Sequence, residues 1–306
     1  MNKRIVTSYK EPDLDGVSSM YAYSEYLNKK GIESDYYISG SPKKEVEIVC
    51  NLFNIDLLGI KEISENQEVV VLDTNNLEEV PFLKPEQIVE IIDHHSKNKS
   101  SEKCKNAKIH IERLGAVATL IAERFKNENI PISREAAILL YYGIVSNSIN
   151  LKASITNEKD INMIKWLEEQ SNEISKEKIN EIFTLKSKVE DSELRKEMEA
   201  EVNIDYAGKK ITVAQLEIAN IEDFLKEKEE KIIKELKLVK EEKNIDYIFI
   251  NYVDILNGFN IVLTIDEDTK ELLEEKLGYS FENNRCKFDK LLQRKDITKA
   301  IRETLK

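Results

Sequence analysis

The sequence has few cysteines and no long hydrophobic run, and both absences exclude classes of protein. Its three cysteines, Cys50, Cys104 and Cys286, are widely spaced and form no CxxC pair. We therefore predict reduced thiols in a cytoplasmic protein and no disulfide framework. No apolar segment approaches the roughly 18 residues of a membrane span. Because Met1–Arg4 leads directly into a predicted strand, we expect no signal peptide.

An excess of positive charge is also lacking. The 306 residues include 46 lysines and arginines against 58 aspartates and glutamates, a net charge of -12. This balance argues against duplex nucleic acid as a partner, because proteins bind its phosphate backbone largely through positive charge. A small anionic substrate remains compatible with it, since a bound metal ion can reverse the local field. The length allows two domains.

Strands and helices alternate in the first half of the chain. The predicted strands there are Ile5–Tyr9, Ser34–Ser39, Val69–Asp73, Ile88–Asp93 and Ala107–Glu112. Their order, with turns or helices between them, is typical of a parallel sheet with helical crossovers. We expect further helices after Leu114, Ser133 and Thr156, with Ser133 as a cap. Gly143–Leu151 is expected to be a buried segment that ends at a site. The predicted fold class is α/β.

The composition changes at Glu168–Lys188, which is charged and helical. We predict a domain boundary there, with an α/β domain over residues 1–187 and a smaller α+β domain of four or five strands over residues 188–306. The expected elements of the second domain are strands Lys210–Ile218, Tyr247–Ile255 and Asn260–Ile265 and a long charged helix from Ile221 to Glu242. We expect that helix to be amphipathic, with its charged face in solvent.

Three of the predicted strands end in side chains that can bind metal ions. These are Asp13 and Asp15 after the first strand, Asp73 at the end of the third, and Asp93, His94 and His95 at the end of the fourth. Parallel strands end at one edge of a sheet, and ligands bind outside their carboxyl ends, so we predict that these residues share one rim. Any single aspartate is equally compatible with a helix cap or a turn. Their shared placement favours a metal site.

The types of side chain indicate which ions this rim would hold. Carboxylates and imidazoles without thiolate suit Mn²⁺, Mg²⁺ or Co²⁺ better than a structural Zn²⁺. Two ions about 3.5–4 Å apart, bridged by Asp73, would activate a water molecule and stabilise the leaving oxygen of a phosphoryl group. The chain has only three histidines. We interpret His94 and His95 as one metal ligand and one phosphate donor, and we expect His110 to be packed.

Motifs on this rim resemble those of a known family. Pro12-Asp13-x-Asp15-Gly16, Val71-Leu72-Asp73 and Asp93-His94-His95 are similar to the first three motifs of the DHH phosphoesterase superfamily. The helix start that follows them in the family resembles Arg113–Thr119, and its fourth motif resembles Gly143–Lys152 with Ile155, Thr156 and Asp160. The resemblance implies a parallel sheet flanked by helices and a phosphoesterase activity.

The second half of the chain indicates one branch of that superfamily. Thr212–Gln215, Tyr247–Asp254 and Leu292–Lys295 resemble the C-terminal domain of family II, manganese-dependent inorganic pyrophosphatases and related exopolyphosphatases. This argues against the branch that acts on nanoRNA and cyclic dinucleotides, whose second domain differs. The resemblance implies hydrolysis of a phosphoanhydride bond, in inorganic pyrophosphate or short polyphosphate, by a metal-activated water.

The resemblance also assigns metal ligands. It implies one site at Asp13 and Asp73 and a second at Asp15, Asp73 and His94, with Asp73 as the bridge. Mn²⁺ would be the cofactor at both, with Co²⁺ or Mg²⁺ as alternatives. Asp93 would hold an imidazole by its free N–H, as metal-bound histidines usually require.

The same resemblance assigns phosphate ligands. His95 would face the substrate. Arg294 and Lys295 would bind the outer phosphate, the arginine as a fork and the lysine as a point charge. Lys186 or Lys188 would supply a further contact.

Two positions depart from the family pattern. Tyr9 stands where the family usually has a histidine ligand of the first metal, and Asn147 stands where it has an aspartate ligand of the second. Tyrosine is a poor ligand for Mn²⁺ unless deprotonated, and its reference pKa is about 10. Replacing a carboxylate about 4 Å from a cation by a neutral amide forfeits up to about 4 kcal/mol per unit of metal charge. We therefore expect weakened affinity at both metal positions.

Two functions remain open at this point. The first is a manganese-dependent phosphohydrolase of pyrophosphate or short polyphosphate. The alternative, favoured by Tyr9 and Asn147, is a catalytically weak homologue that binds a phosphorylated ligand or a protein partner. We expect a cytoplasmic protein whose partner is a small phosphorylated molecule, with no duplex nucleic acid and no membrane. A homodimer is left open.

Overall fold

The chain divides into two units. The computed structural model describes residues 3–189, 194–195, 202–206, 208–289 and 291–304, without the side chains at 202, 203, 206 and 295. Contacts within the chain separate Met1–Ile182 from Phe183–Lys306. This division falls a few residues before the predicted boundary between residues 187 and 188. Among the described helices, none is long and apolar enough to cross a membrane.

The first unit is built on a parallel sheet of five strands. They are β1 (Arg4–Thr7), β2 (Ser34–Tyr37), β3 (Val69–Leu72), β4 (Ile88–Asp93) and β5 (Lys108–Ile111), in the order β2-β1-β3-β4-β5. β3 is buried along its whole length, as expected for a parallel strand that is covered on both faces. The predicted α/β fold is confirmed, and each strand lies within two residues of its expected bounds.

The path of the chain across this sheet reverses between β1 and β3. From β1 the chain passes to β2 on one side, and it then returns to β3 on the other side of β1. In open α/β sheets such a reversal leaves a crevice outside the carboxyl ends of the strands, where ligands bind. Asp13 and Asp15, after β1, and Asp73, after β3, lie at this crevice.

Helices surround the sheet of the first unit. They are α1 (Leu14–Lys29), α2 (Lys44–Phe53), α3 (Val117–Asn127), α4 (Arg134–Asn147), α5 (Glu158–Glu168) and α6 (Lys176–Lys186), the last of which crosses into the second unit. Ser133 caps α4 as predicted, since its Oγ accepts a hydrogen bond from Ala136 N at 3.2 Å. The connections from β3 to β4 and from β4 to β5 contain short 3-10 turns and no α-helix.

Gly143, inside α4, lets that helix pass close to α1. A Cβ at this position would collide with Ser18 Oγ and would lie 3.4 Å from Leu14 O. Glycine costs a helix interior about 1 kcal/mol relative to alanine, and the close packing offsets that cost. The segment at 143–151 is mostly buried as expected, and its first half belongs to α4, which continues through Gly143 to Asn147.

The second unit contains a mixed sheet. Its described strands are β6 (Val202–Tyr206), β7 (Lys209–Ile218), β8 (Tyr247–Asp254), β9 (Asn260–Thr264) and β10 (Arg285–Phe288), in the order β10-β9-β8-β7-β6. The β7–β8 pair is parallel and the other pairs are antiparallel. Helix α7 (Ile221–Glu242) connects β7 to β8, and α8 (Glu267–Leu277) and α9 (Arg294–Thr304) follow β9 and β10. The five strands agree with the predicted α+β domain.

Each face of this mixed sheet buries its own apolar cluster. One cluster packs the sheet against a stripe on α7, formed by Ile221, Leu225, Ile232, Leu236 and Val239. The other packs the opposite side chains of β7 and β8 against Leu273 of α8 and Ile297 and Ile301 of α9. Burying a leucine or isoleucine contributes roughly 1.5–3 kcal/mol, so the stripe holds α7 on the sheet. The predicted amphipathic character of α7 is confirmed.

Candidate metal centre

Asp13 and Asp15 lie at the start of α1. Asp13 is the N-cap, and its Oδ1 accepts a hydrogen bond from Gly16 N at 3.1 Å. Asp15 is 1% exposed and accepts hydrogen bonds from Val117 N at 2.8 Å and Ala118 N at 2.7 Å. These N–H groups open α3 and have no acceptor within their own helix. Asp15 therefore ties the starts of two helices together.

The charge on Asp15 is unfavourable in the protein without a cation. Burial, followed by the negative charge of Asp73, raises the pKa of Asp15 well above its usual value. His94 and the Ala118 N–H act in the opposite direction. A nearby cation would favour the ionised form of this carboxylate.

Asp73 follows β3 with a left-handed backbone and a buried carboxylate. Its φ is 62°, a conformation that residues other than glycine seldom adopt and that clusters at functional sites. The residue is 3% exposed, and none of the described residues donates a hydrogen bond to Oδ1. Burial, followed by the charge of Asp13, raises the pKa of Asp73 well above its usual value. A nearby cation would stabilise a buried carboxylate oxygen that has no hydrogen-bond donor.

His94 directs its Nε2 towards this oxygen. Its Nδ1 lies 2.8 Å from Leu114 O, and because a carbonyl oxygen only accepts, Nδ1 carries the proton. Nε2 lies 3.4 Å from Asp73 Oδ1 and 3.8 Å from Asp15 Oδ2. A cation among these atoms would offset the negative charge of the two buried carboxylates. Two carboxylates and an imidazole fit Mn²⁺, Co²⁺ or Mg²⁺, so the residues present fit the predicted metal.

His95 is held by Asp93 instead. Its Nδ1 donates to Asp93 Oδ1 at 2.9 Å, and its imidazole is 59% exposed. Burial acts to lower the pKa of His95, but the hydrogen bond to Asp93 and the charge of Asp73 raise it above its usual value. Proximity alone groups His95 with Asp73 and His94 as metal ligands. The His95 nitrogen near Asp73 is Nδ1, 3.9 Å from Oδ1 and committed to Asp93, whereas the His94 nitrogen near Asp73 is Nε2, 3.4 Å from Oδ1.

Asp93 orders the loop that carries both histidines. Its Oδ1 also accepts from His94 N at 2.7 Å and His95 N at 3.1 Å, and its Oδ2 accepts from Asn75 Nδ2. Burial acts to raise the pKa of Asp93, but the hydrogen bonds from His95 and Asn75 lower it below its usual value. Asp93 was expected to hold an imidazole, and it holds that of His95. The N–H of His94 goes to the Leu114 carbonyl.

Tyr9 is a hydrogen-bonding group of the loop before α1. Its hydroxyl accepts a hydrogen bond from Asp13 N at 3.1 Å and is also hydrogen-bonded to the Asp13 side chain. Burial, followed by the charges of Asp13 and Asp73, raises the pKa of Tyr9 far above its usual value. In the protein without metal the side chain is therefore a neutral phenol.

Asn147, the last residue of α4, turns its amide nitrogen towards the candidate ligands. Its Nδ2 donates to Gly115 O at 2.9 Å and to Asp15 Oδ2 at 3.2 Å, and it lies 3.3 Å from His94 Nε2. Turning the amide over would place Oδ1 against two oxygens that only accept. The Asn147 amide is thus oriented as a hydrogen-bond donor at this point.

A comparison with protein families bears on the first unit. Residues 3–144 match the DHH family, N-terminal domain. These residues are similar to the N-terminal domain of that family, and we call them the DHH domain. The predicted DHH resemblance is thereby confirmed, and the rim of Asp13, Asp15, Asp73 and the two histidines belongs to this DHH domain.

Similarity to known proteins extends beyond the DHH domain. The chain is 25% identical to the manganese-dependent inorganic pyrophosphatase of Bacillus subtilis, with 96% of each chain covered. It is 26% identical to the protein of the same name from Methanothrix thermoacetophila, with 95% of this chain and 94% of that one covered. Its fold matches the crystal structure of a Methanococcus jannaschii putative family II inorganic pyrophosphatase with a TM-score of 0.69, at 22% identity and 99% coverage of both chains.

Asn75 is a residue of the DHH domain that sequence reasoning missed. Besides bonding Asp93, its Nδ2 donates to Ser96 O at 3.2 Å, and its Oδ1 accepts from Asn98 N. It thereby links the loop after β3 to the loop after β4. Its position two residues beyond Asp73, at the end of a strand, was the signal that could have identified it.

Two further buried acids of the first unit hold the ends of helices. Glu45 accepts hydrogen bonds from Leu14 N at 3.0 Å and Ser146 Oγ at 2.6 Å, and so joins the start of α1 to the end of α4. Asp160 accepts from Gly115 N at 2.8 Å, and the carbonyl of Gly115 in turn fixes the Asn147 amide. Asp160 was expected within the fourth motif, whereas Glu45 gave no signal in the sequence beyond its place in a helix.

The prediction that His110 is packed is wrong. β5 is the edge strand of the sheet, and the His110 side chain is 37% exposed with Nε2 3.6 Å from Glu112 Oε2. Alternation of apolar residues along β5 suggested burial, but an edge strand has a neighbour on one side only.

The predicted basic phosphate ligands lie in the second unit. Arg294 is the first residue of α9. Burial lowers the pKa of its guanidinium, and the charge of Glu217 acts in the opposite direction. Of the two lysines considered, Lys186 pairs with Glu217, its Nζ lying 3.0 Å from Oε2, and Lys188 is exposed. The side chain of Lys295 lies outside the described part of the chain.

Proposed function

We propose that this protein is a cation-dependent hydrolase of phosphoanhydride bonds, with inorganic pyrophosphate or short polyphosphate as its substrate. The observation that carries the proposal is the buried Asp73 Oδ1, which has no donor among the described residues and lies 3.4 Å from His94 Nε2 on the rim of the DHH domain. A divalent cation among these atoms would offset the buried negative charge. The names of the relatives, manganese-dependent inorganic pyrophosphatases, support the choice of substrate and of Mn²⁺.

The proposed cation ligands all belong to the DHH domain. Asp13 and Asp73 would hold one ion, and Asp15, Asp73 and His94 a second, with Co²⁺ or Mg²⁺ as alternatives to Mn²⁺. When bound, such ions supply a water molecule of lowered pKa and neutralise charge on the phosphoryl group. Because Asn147 donates a hydrogen bond to Asp15, we propose that the second ion binds more weakly than the first.

His95 and basic residues of the second unit are proposed to bind the phosphate groups. With its Nδ1 held by Asp93, the exposed imidazole of His95 is oriented, and Nε2 would donate to a phosphoryl oxygen. Such a preoriented donor stabilises charge that develops in the transition state. Arg294 would bind the outer phosphate as a fork, assisted by Lys295 and Lys186.

Phosphate release from pyrophosphate, tripolyphosphate and ATP, each with Mn²⁺, Co²⁺ or Mg²⁺, tests this proposal. We expect Mn²⁺-dependent release from pyrophosphate or tripolyphosphate, and its loss in Asp73→Asn. His110→Ala is the matched control, because it removes a half-exposed histidine from the edge strand β5. Absence of phosphate release from every substrate with every ion would contradict the proposal.

A second candidate function is supported by Asn147 and Tyr9. The Asn147 amide already donates to a candidate metal ligand, and the phenol of Tyr9 is neutral because burial raises its pKa. A protein with these features could bind a phosphorylated ligand or a protein partner with little turnover. Tight binding of pyrophosphate without phosphate release, together with fewer than two Mn²⁺ ions per chain, would favour this alternative.

The proposal extends to the organisation and location of the protein. We propose that residues 1–187 bind the metal ions and that residues 188–306 contribute substrate-binding residues. A cytoplasmic location is consistent with a small phosphorylated substrate as the partner. Sedimentation of the purified protein would test the homodimer that the sequence left open.

A further inference from the structure

Three carboxamides in the second unit hold the backbone of the segment that leads into Arg294. They are Gln215 on β7, Asn251 on β8 and Asn260 on β9, and we call them the amide network. We infer that the amide network positions Arg294 for phosphate binding. This inference rests on the proposed function, and it adds residues that lie outside the predicted phosphate ligands.

Burial makes this network costly unless every member is hydrogen-bonded. Asn251 and Asn260 are both 0% exposed, and they lie on strands whose other residues are mainly apolar. An amide transferred from water to such surroundings without a partner costs roughly 1–3 kcal/mol in proteins. Two carboxamides at such positions therefore require partners that are also fixed.

Asn260 forms hydrogen bonds with both the N–H and the carbonyl of Leu292. Its Oδ1 accepts from Leu292 N at 2.8 Å, and its Nδ2 donates to Leu292 O at 2.6 Å. Asn251 Nδ2 donates to the same carbonyl at 2.9 Å, while Asn251 Oδ1 accepts from Asn260 Nδ2 at 2.6 Å. Donors and acceptors alternate through these contacts, so the orientation of both amides is determined. Leu292 is thereby fixed to the centre of the sheet.

Gln215 extends the network to Arg294 itself. Its Oε1 accepts from Arg294 N at 2.5 Å and from Asn251 Nδ2 at 3.2 Å. Arg294 is the first residue of α9, and the first N–H groups of a helix have no acceptor within the helix. Gln215 supplies that acceptor from a neighbouring strand. The network thus fixes the point at which the arginine side chain leaves the backbone.

Strand β7 also contacts a second basic side chain, that of Lys186. Glu217 lies two residues after Gln215 on β7, and alternate residues of a strand point to the same face. Its Oε2 lies 3.0 Å from Lys186 Nζ. One face of β7 therefore contacts the backbone of Arg294 through Gln215 and the ammonium of Lys186 through Glu217. A phosphate ligand is bound best by charges whose positions are set before it arrives.

Hydrogen exchange tests the network without reference to any ligand. Protection of the Arg294 amide is expected in the wild type and should be lost in Gln215→Met, which keeps the length of the side chain and removes the acceptor. Gln215→Glu, which keeps an acceptor oxygen, should retain protection. Thr264→Val is the matched control, because it removes a different buried hydrogen bond of β9, from Thr264 Oγ1 to Ile248 O. An Arg294 amide that exchanges equally fast in wild type and Gln215→Met would overturn the inference.

A double-mutant cycle tests the positioning role. Calorimetry would measure binding of imidodiphosphate, a pyrophosphate analogue that resists hydrolysis, to the full chain with Mn²⁺. Gln215→Met should weaken binding about tenfold in the wild type and less than about twofold in Arg294→Ala, because groups acting through one another are not additive. Mn²⁺ affinity should be the same in all variants, and Thr264→Val should bind imidodiphosphate like the wild type.

The outcomes separate this inference from the proposed function. If the wild type binds imidodiphosphate and Gln215→Met binds it equally well, the positioning role is overturned and the proposed function stands. The same holds if Gln215→Met weakens imidodiphosphate binding by the same factor in the Arg294→Ala background as in the wild type. If the wild type binds no imidodiphosphate although its Arg294 amide is protected through Gln215, the proposed function fails and the positioning role fails with it.

Discussion

At the scale of single residues, Asp73 concentrates the features of the candidate site. It combines a left-handed backbone, a buried carboxylate oxygen without a donor among the described residues, and proximity to His94 Nε2. Each feature is unfavourable by itself. Their coincidence at the reversal point of the sheet supports our proposal of a cation that Asp73 would share between two positions.

Removing the charge of Asp73 should therefore abolish tight metal binding more completely than any other single change on the rim. We expect Asp73→Asn to weaken Mn²⁺ binding by about 100-fold or more, since a carboxylate next to a cation contributes up to about 4 kcal/mol per unit of metal charge. Calorimetric titration with Mn²⁺ would measure it. A larger loss in Asp13→Asn or His94→Ala would show that the bridging assignment is wrong.

Without metal, Asp73→Asn should raise the free energy of unfolding of the protein. Burial raises the folded-state pKa of Asp73 above its value in the unfolded chain, so this group favours folding only while it is protonated. That contribution is complete below pH 4 or so and is lost as the pH rises towards the raised pKa. Urea unfolding in EDTA should show Asp73→Asn more stable than wild type, by a margin that grows from pH 4 upwards. A margin independent of pH would contradict the shift.

Asn147 is the second residue that decides the properties of the rim. Asn147→Asp would replace a donor beside Asp15 and His94 by an anion, so we expect Mn²⁺ affinity to rise at least about tenfold. Adding Tyr9→His should raise it further, and pyrophosphate hydrolysis with it. Asn129→Asp is the control, because it makes the same change of charge at an exposed position beyond α3. Equal Mn²⁺ affinity in wild type and all of these variants would place both residues outside the coordination shell.

At the scale of elements, the close contact of α1 and α4 determines where the site residues meet. α1 begins at Asp13 and Asp15, and α4 ends at Asn147. Glu45 bonds both ends, and Gly143 allows the two helices to approach. The distance from Asn147 Nδ2 to Asp15 Oδ2 is thus set by helix packing some distance away from the rim.

Gly143→Ala should destabilise the protein despite the higher helix propensity of alanine. The added methyl group would collide with Ser18 Oγ, and overpacking of this kind typically costs about 1–3 kcal/mol. Ser18→Ala in combination should restore most of the loss, since it removes the atom in collision. Urea unfolding of both single variants and the double variant measures this. Failure of the double variant to recover stability would show that the backbone, and not Ser18, limits the approach.

At the scale of the whole molecule, the proposed chemistry is divided between two units with separate cores. The candidate metal ligands lie in Met1–Ile182, and Arg294 with the amide network lies in Phe183–Lys306. Metal binding and phosphate binding should therefore respond to different substitutions.

Arg294→Ala should leave Mn²⁺ affinity unchanged and weaken imidodiphosphate binding about tenfold or more, as expected for the loss of a charge-assisted contact. Arg302→Ala is the matched control, because it removes a guanidinium from the exposed end of the same helix. Calorimetry with Mn²⁺ and then with imidodiphosphate separates the two effects. Loss of Mn²⁺ binding in Arg294→Ala would show that this residue supports the metal site or the fold.

Much of this molecule follows from local sequence. Short runs of β-branched residues followed by aspartate or histidine predicted β1, β3 and β4 and the residues of the rim. Such runs can be recognised because the burial and the end of a strand depend on a few neighbouring residues. The bounds of α7 followed from its charged amphipathic pattern. β6 and β10 were missed, since both are edge strands of the mixed sheet and lack the apolar signal of a buried strand.

Tertiary structure alone decided the chemistry of the rim. The order of the strands brought Asp73 beside the start of α1, and the carbonyl of Leu114, twenty residues along the chain, accepts the hydrogen bond of His94 Nδ1. The amide of Asn147 was oriented by Gly115 and Asp15, and no local pattern predicts that choice. Residue types and element boundaries depend on neighbours in sequence, whereas the protonated nitrogen and the unpaired oxygen depend on which distant backbone groups packing brings within hydrogen-bonding distance.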